Sequence, residues 1–146
     1  MSEHQIKARY SDRLDLIVDR LGEIAEDRVI TRTYREFGQQ PADQLAQGIY
    51  TVVSAGVRSY PNVYESGDEG RQRIFIIFQG KAPEGASGED IEEIEFDAMN
   101  ELELLAEQIP LDIPTLVLQS AETSTQLDSP YCWVRSTWET FTDPKS

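Results

Sequence analysis

Residues 73–108 read RIFIIFQGKAPEGASGEDIEEIEFDAMNELELLAEQ, and they join a strand-forming run to a helix-forming one. The run from Ile74 to Phe78 is entirely apolar and rich in β-branched and aromatic side chains. Such a run predicts an interior strand, here over 71–79, that is covered on both faces. The Gly- and Pro-containing segment 80–88 predicts a loop. The fold therefore has to place a helix after a buried strand, with only a short loop between them.

The helix predicted after this loop has two different sides. Its apolar residues recur at helical spacing and form one stripe: Ile91, Ile94, Ala98, Leu102, Leu105 and Ile109. The interval from Glu84 to Glu107 also holds ten carboxylates and no Lys or Arg. The ten are Glu84, Glu89, Asp90, Glu92, Glu93, Glu95, Asp97, Glu101, Glu103 and Glu107. A surface of one charge sign in the middle of a chain indicates a partner-facing surface.

The residues before this segment predict one helix and two strands. Apolar side chains at helical spacing predict a helix over 12–27, with Ser11 as its N-cap. Residues 29–36 are largely β-branched and aromatic and predict a strand, which the segment 38–41 ends. A helical turn over 41–47 and a second strand over 49–60 follow, with Gly56 indicating a bulge. That strand and 71–79 then form a long hairpin across the loop 61–70.

The residues after the acidic helix predict two more strands, 115–125 and 131–142, joined by a turn at 127–130. The order is thus helix, three strands, helix and two strands. We predict an α+β fold of two layers, in which two main helices pack on one face of a largely antiparallel mixed sheet of about five strands. We expect a single domain over 1–146, with a flexible N-terminal tail at 1–10 and a flexible C-terminus at 143–146.

Composition and charge limit the classes of partner. The chain has 27 acids and 13 bases, and its formal net charge is −14. Such a field repels nucleic acids and anionic lipids, so we expect neither as a direct partner. No apolar segment has the length of a signal-peptide core or of a bilayer span. The single cysteine, Cys132, has no intrachain disulfide partner. We therefore expect synthesis without export, in a reducing compartment.

Residues able to support catalysis are few. His4 is the only histidine, so a His-based triad, a Cys-His pair and a zinc site built on several histidines are excluded. Lys81 lacks the upstream glycine of a phosphate-binding loop. The carboxylates of 89–97 share a helix face and suit acid–base chemistry or a hard cation, although a solvated helix surface is the favoured interpretation. We predict no enzyme activity, no cofactor and no metal site.

Aromatic residues complete the candidate interface. Trp133 and Trp138 point to opposite faces of a regular strand, so one enters the core and the other lies on the open sheet face. There it is either covered by a loop or marks a subunit contact. Tyr60 and Tyr64 flank the proline of the predicted loop. The full set of candidate interface residues is Arg28, Arg32, Arg35, Tyr60, Tyr64, Glu89, Asp90, Glu92, Glu93, Asp97, Trp133 and Trp138.

Several short strings are spread along the chain in the order of the predicted elements. They are RTYREF (32–37), GIYTVV (48–53), IFIIF (74–78), ELELLAEQI (101–109) and WVRSTWE (133–139). Together with the order of helices and strands, they resemble the tail terminator (tail-completion) proteins of long-tailed phages, the group that includes the lambda tail terminator. The resemblance spans most of the chain.

This resemblance implies a mixed α/β fold and a structural protein of the phage or prophage tail, made in the cytoplasm of the host bacterium and incorporated in the virion. It implies a homo-oligomeric ring of six subunits that caps the tail tube, stops tube polymerisation and provides the surface for head-completion (neck) proteins. The implied partners are the chain itself, the tube protein and the neck protein. A ring needs two unlike, complementary patches on each subunit. The acidic helix and the arginine-bearing first quarter are the candidate patches.

Two other functions use the same residues. An acidic binding module of the inhibitor or immunity type would dock a basic partner through the same helix without forming a ring. A small enzyme using carboxylates is the third possibility. Oligomeric state separates the first two. Replacing Glu92, Glu93 and Asp97 with Lys should abolish ring formation or docking and leave the fold intact.

Overall fold

The computed structural model describes residues 2–57, 72–108 and 116–140, and its description of side chains begins at Tyr10. Its elements are α1 (Ser2–Ile24), β1 (Val29–Thr31), a 3-10 turn (Phe37–Gln39), α2 (Ala42–Gln47), β2 (Ile49–Val57), β3 (Gln72–Lys81), α3 (Gly88–Gln108), β4 (Val117–Thr123) and β5 (Tyr131–Thr140). The predicted loop 61–70 and the C-terminal residues 143–146 lie outside the described residues.

The five strands form one mixed sheet in the order β1-β2-β3-β5-β4. β1 runs parallel to β2, while the other three neighbouring pairs are antiparallel. β3 lies at the centre, paired with β2 on one side and with β5 on the other. The predicted α+β fold with a largely antiparallel mixed sheet is therefore confirmed.

The hydrophobic core lies between one face of this sheet and the helices α1 and α3. Alternate residues of β3 enter it, and Ile74, Ile76 and Phe78 are fully buried there. The helices contribute one stripe each to the same cluster: Leu14, Ile17 and Leu21 from α1, and Ile91, Ala98, Leu102 and Leu105 from α3. The two main helices thus cover the same face of the sheet, as the helical spacing of their apolar residues predicts.

The opposite sheet face, which we call the open face, has a thinner cover. Phe75 and Ile77 of β3 point to it and are only half-buried. The segment 32–40 crosses it at the Gln79 end, where the Gln79 side-chain amide donates to the backbone carbonyl of Arg35 at 3.0 Å. The prediction that both faces of β3 are covered was therefore right only near Gln79, because a connecting segment and no helix covers the open face within the described residues.

The first main helix begins earlier than predicted, and the second begins at the end of the predicted loop. α1 begins at Ser2, so residues 2–10, expected to be a flexible tail, are helical. Residues 2–11 contain neither Gly nor Pro, and their Glu, Gln, Lys, Ala and Arg favour a helix, so Ser11 lies inside α1. α3 begins at Gly88, where the predicted loop 80–88 ends. The Asp90 amide donates to Ser87 Oγ at 3.1 Å, and the Ser87 amide donates to Asp90 Oδ2 at 2.9 Å. This capping box starts α3 at Gly88.

The first strand is much shorter than the predicted 29–36. β1 ends at Thr31, whose Oγ1 accepts a hydrogen bond from the Thr33 amide at 3.2 Å. Such a local side-chain bond gives the backbone an alternative to the strand ladder. The bulge predicted at Gly56 is confirmed, since the β2–β3 register shifts between Ser54 and Gly56, where Gly56 has a φ of +118°. A glycine suits this left-handed backbone.

Ile76 tests how strongly the covered face of the sheet stabilises the fold. Ile76→Ala removes a fully buried side chain from the central strand and leaves a cavity. We expect the free energy of unfolding to fall by about 2–5 kcal/mol in urea titration. Val117→Ala on β4 is the matched control, because Val117 is 53% exposed. Its effect should stay within about 0.5 kcal/mol. Equal effects of the two substitutions would contradict the one-sided core.

Candidate functional site

The side of α3 that faces away from the sheet carries an exposed stripe of acidic and apolar residues. We call it the α3 outer stripe; it consists of Glu89, Glu93, Phe96, Asn100, Glu103, Leu104 and Glu107, which follow one another at helical spacing. Phe96 is 49% exposed and Leu104 is 45% exposed. Because α3 contains no Lys or Arg, its carboxylates have no basic neighbour on the helix. The stripe therefore combines apolar projections with a negative surround.

Sequence reasoning missed the apolar part of this stripe. The prediction describes this side of the helix as acidic, whereas Phe96 and Leu104 interrupt it. Both residues lie outside the inner stripe that contains Ile91, Ala98 and Leu105. Two large apolar residues among carboxylates on a helix surface were the available signal.

Glu89 and Glu93 are the predicted interface acids that lie in the outer stripe. Asp90 instead caps α3 through Ser87. Asp97 is exposed beside the stripe and lines a separate concavity between α2, α3 and β3.

Glu92 also makes a contact within the fold. Its Oε2 accepts a hydrogen bond at 2.8 Å from the side-chain amide of Gln126, in the turn between β4 and β5. Part of the acidic surface thus holds α3 to that turn. Glu89 and Glu93 are consequently better sites for charge reversal than Glu92.

A second carboxylate of α3, Glu95, is buried and was not among the predicted site residues. Only 1% of Glu95 is exposed. Its Oε2 accepts a hydrogen bond from the Ser124 hydroxyl and another, at 3.0 Å, from the Trp133 backbone amide. Ser124 directly follows β4 and Trp133 belongs to β5, so one oxygen ties α3 to the β4–β5 hairpin. Glu95 holds α3 in place and is not available to a partner.

A third carboxylate of α3, Glu101, forms an ion pair with Arg28, which was predicted to lie at an interface. The Tyr50 hydroxyl lies 2.6 Å from Glu101 Oε1, and Arg28 Nε donates to the same oxygen at 3.1 Å. Arg28 also lies over the Phe78 ring, 5.0 Å from its centroid. Burial, and then the hydrogen bond to Glu101, raise the pKa of the Tyr50 hydroxyl, so it remains a donor. Arg28 is thus engaged within the fold.

Arg32 and Arg35 lie in the segment that crosses the open face. Arg32 Nη1 forms an ion pair with Asp15 Oδ1 of α1 at 3.0 Å, and both side chains are well exposed. The Arg35 carbonyl accepts from Gln79 as described above, and its side chain is exposed. Since Phe37 packs on Tyr131 with 4.5 Å between ring centroids, this segment is held against β5. Of the predicted interface arginines Arg28, Arg32 and Arg35, Arg35 therefore remains the candidate for partner contact.

The open face contains a groove of about 420 Å³, which we call the sheet groove. Its lining is Tyr34, Phe37, Phe75, Ile77, Gln79, Glu122, Trp133 and Arg135. Its volume falls in the range of about 300–1,000 Å³ that is typical of ligand pockets. The Arg135 guanidinium lies 5.1 Å from the centroid of Phe75 and pairs with Glu122. The groove thus has an aromatic and aliphatic floor with charged groups at its margin.

The two tryptophans lie on opposite faces of β5, as predicted. Trp138 is fully buried in the core, where its Nε1 donates to Ser136 Oγ at 2.8 Å, so it offers no surface to a partner. Trp133 is half-buried in the sheet groove, and its Nε1 donates to Asp128 Oδ2 at 2.7 Å. Trp133 is the interface candidate of the pair. Tyr60 and Tyr64 lie outside the described residues.

The remaining chemical groups are few in the described part of the chain. Residues 2–57, 72–108 and 116–140 contain no group of three or more His, Cys, Asp or Glu side chains arranged to hold a metal ion. Cys132 is buried, and burial together with the Glu95 charge raises the pKa of its thiol to about 11. Neither described long helix is apolar enough over its length to cross a bilayer.

Neither a scan against protein-family models nor a search of curated proteins finds a match for this chain.

Glu95 provides a direct test of how α3 is held. Glu95→Ala leaves the Ser124 hydroxyl and the Trp133 amide without their acceptor, so we expect a loss of about 2–4 kcal/mol in the free energy of unfolding. Glu95→Gln retains an oxygen able to accept both bonds and should lose less. Glu93→Ala, two positions away and exposed, is the control and should change stability by less than about 0.5 kcal/mol. If Glu95→Ala matched Glu93→Ala, the buried carboxylate would not hold α3.

Proposed function

We propose that this chain is a structural tail protein of a phage or prophage. In this proposal it assembles as a ring of six subunits on the end of the tail tube, stops tube polymerisation and provides the surface for the head-completion protein. It acts through surfaces and has no catalytic role. Its partners are other copies of the chain, the tube protein and the neck protein, and its place is the virion tail.

The observation that supports this proposal most is the presence of two unlike surfaces on opposite layers of one chain. The α3 outer stripe lies on the helical layer and is acidic, with two apolar projections. The sheet groove lies on the open face and is aromatic, with Arg135 at its margin. A cyclic assembly without two-fold axes needs two different patches on each subunit, one for each neighbour. An isologous dimer needs only one.

A second candidate, an acidic module that docks a basic partner, is favoured by one specific observation. Among the described residues of α3, the exposed carboxylates Glu89, Glu93, Glu103 and Glu107 have no base on the same helix. A field of this sign steers a basic protein toward the helix and speeds association. This function needs only the α3 outer stripe and leaves the sheet groove without a role.

Control of tube length is the activity that tests the proposed function. Purified chain added to polymerising tube protein of the same phage should shorten the tubes and leave one end capped, as measured in negative-stain electron micrographs. Because one ring stops one tube, amounts far below one chain per tube subunit should be sufficient. Tube lengths that do not change at any ratio would contradict the proposal.

A matched pair of variants tests whether the α3 outer stripe takes part in capping. The double substitution Glu89→Lys and Glu93→Lys should abolish capping, since it reverses the charge of the stripe. Asp12→Lys with Asp19→Lys changes net charge equally at exposed positions of α1 and should cap normally. If the two double variants capped tubes equally well, the α3 outer stripe would take no part in capping.

A further inference from the structure

The segment 32–40, which crosses the open face, contains no fully buried side chain. Phe37 and Gln40 are half-buried, and the other side chains of the segment are exposed. Its backbone hydrogen bonds are local: the Gln39 amide donates to the Glu36 carbonyl at 2.9 Å, and the Gln40 amide donates to the Phe37 carbonyl at 3.2 Å. Segments with so little buried surface open at a lower cost in free energy than the core does.

Gln79 of β3 fastens this segment to the sheet. Only 1% of Gln79 is exposed, although its side chain is polar. Its Nε2 donates to the Arg35 carbonyl at 3.0 Å, and its Oε1 accepts from Gln40 Nε2 at 3.0 Å. Gln40 Nε2 also lies 3.3 Å from the Arg35 carbonyl. The three groups thus form a small ring of hydrogen bonds that joins the segment to the central strand.

Two further contacts hold the segment, and both lie near the surface. The ion pair of Arg32 with Asp15 joins side chains that are 41% and 63% exposed, and such a pair adds little to stability. Phe37 stacks on Tyr131, and both rings are only half-buried. The hydrogen bonds of Gln79 are therefore the buried part of the attachment.

Thr51 opposes the closed position of the segment. Tyr50 and Val52 enter the core, so Thr51 between them points to the open face. Thr51 is fully buried there, and in the register it lies next to Thr31, from which the segment 32–40 leaves the sheet. In the described part of the chain, no group forms a hydrogen bond with its Oγ1. Burying an unpaired hydroxyl costs free energy, and that cost disappears when water reaches the group.

We propose that the segment 32–40 is a lid over one end of the open face, that it opens while the core stays folded, and that Gln79 is its latch. Both ends of the lid remain anchored during opening. One end continues from β1, which pairs with β2, and the other leads through Pro41 into α2, whose Leu45 is buried. The proposal does not rest on the proposed ring, because it concerns a single copy of the chain.

Opening of the lid enlarges the accessible part of the open face. Ile49 is 1% exposed and lies beside Gln79 in the β2–β3 register, so opening uncovers both together with Thr51. The lid also contributes Tyr34 and Phe37 to the lining of the sheet groove. The closed lid therefore limits the groove at this end, and the open lid lets the groove continue along β2 and β3.

Amide hydrogen exchange of the wild-type chain at several low urea concentrations tests whether the lid opens alone. Residues 32–40 should exchange at a rate that urea hardly changes, because opening exposes little surface. Residues 73–79 of the central strand should exchange at a rate that rises steeply with urea, since they need global unfolding. The same urea dependence in both stretches would overturn the proposal. Exchange of 32–40 at the rate of an unfolded peptide would also overturn it, because no closed lid would then exist.

Two substitutions should change the opening of the lid in opposite directions. Gln40→Ala removes two hydrogen bonds of the latch and should speed exchange of residues 32–39 about five-fold or more. Thr51→Val removes the unpaired hydroxyl and should slow that exchange about five-fold. Gln108→Ala, at an exposed position of α3, is the control and should leave it within about two-fold of wild type.

Exchange of residues 73–79 in the same samples shows whether each variant keeps a folded core. With that core exchange at the wild-type rate, an unchanged lid in Gln40→Ala would overturn the role of the latch. A lid that opens at the wild-type rate or faster in Thr51→Val would overturn the role of the buried hydroxyl.

Discussion

The hydrogen bonds of the buried Glu95 carboxylate are the interaction on which the arrangement of the two surfaces depends. Its Oε2 accepts from Ser124 and from the Trp133 amide, and these two contacts fix the rotation of α3 relative to β5. Once Glu95 points inward, the neighbouring Phe96 must point away from the sheet, since successive residues on a helix differ in direction by about 100°. The Glu95 contacts thus act together with the buried apolar stripe of α3 in setting which residues form the outer stripe. The same oxygen links this helix to the strand that carries Trp133 in the groove.

The helices cover one face of the sheet. Two helices pack on the face that contains Ile74, Ile76 and Phe78, and among residues 2–57, 72–108 and 116–140 the segment 32–40 is what crosses the other face. That segment covers the Gln79 end and leaves Phe75 and Ile77 half-buried. The groove is therefore a direct result of a two-layer fold in which the central strand is apolar on both faces. Strands with this composition normally have both faces covered.

Much of the fold follows from the sequence because local patterns carry it. The spacing of Ile91, Ala98 and Leu105 predicts the inner stripe of α3, and Gly56 predicts the bulge in β2. Trp133 and Trp138 are an odd number of positions apart on β5, which predicts one buried and one surface tryptophan. These properties depend on the periods of helices and strands, which are visible in any window of the sequence. The predicted first helix starts too late, because Ser11 suits an N-cap, although neither Gly nor Pro precedes it to end a helix.

The candidate site was harder to predict because its composition depends on tertiary contacts. Arg28 and Glu92 look like free surface charges in the sequence, yet Glu101 and Gln126 engage them. Glu95 cannot be distinguished from its exposed neighbours by residue type. The sheet groove brings together Tyr34, Phe75 and Trp133, which are far apart along the chain and are joined only by strand order. Contacts between residues that are far apart in the sequence leave no local pattern from which they could be predicted.

The proposed ring requires that copies of this chain bind one another. A native mass spectrum of the wild-type chain over a wide range of concentrations tests that claim most directly, because it counts subunits without requiring a known partner. The account predicts a six-subunit species whose fraction rises with concentration. A chain that remains strictly monomeric at every concentration would contradict it and would favour an acidic module that binds a basic partner.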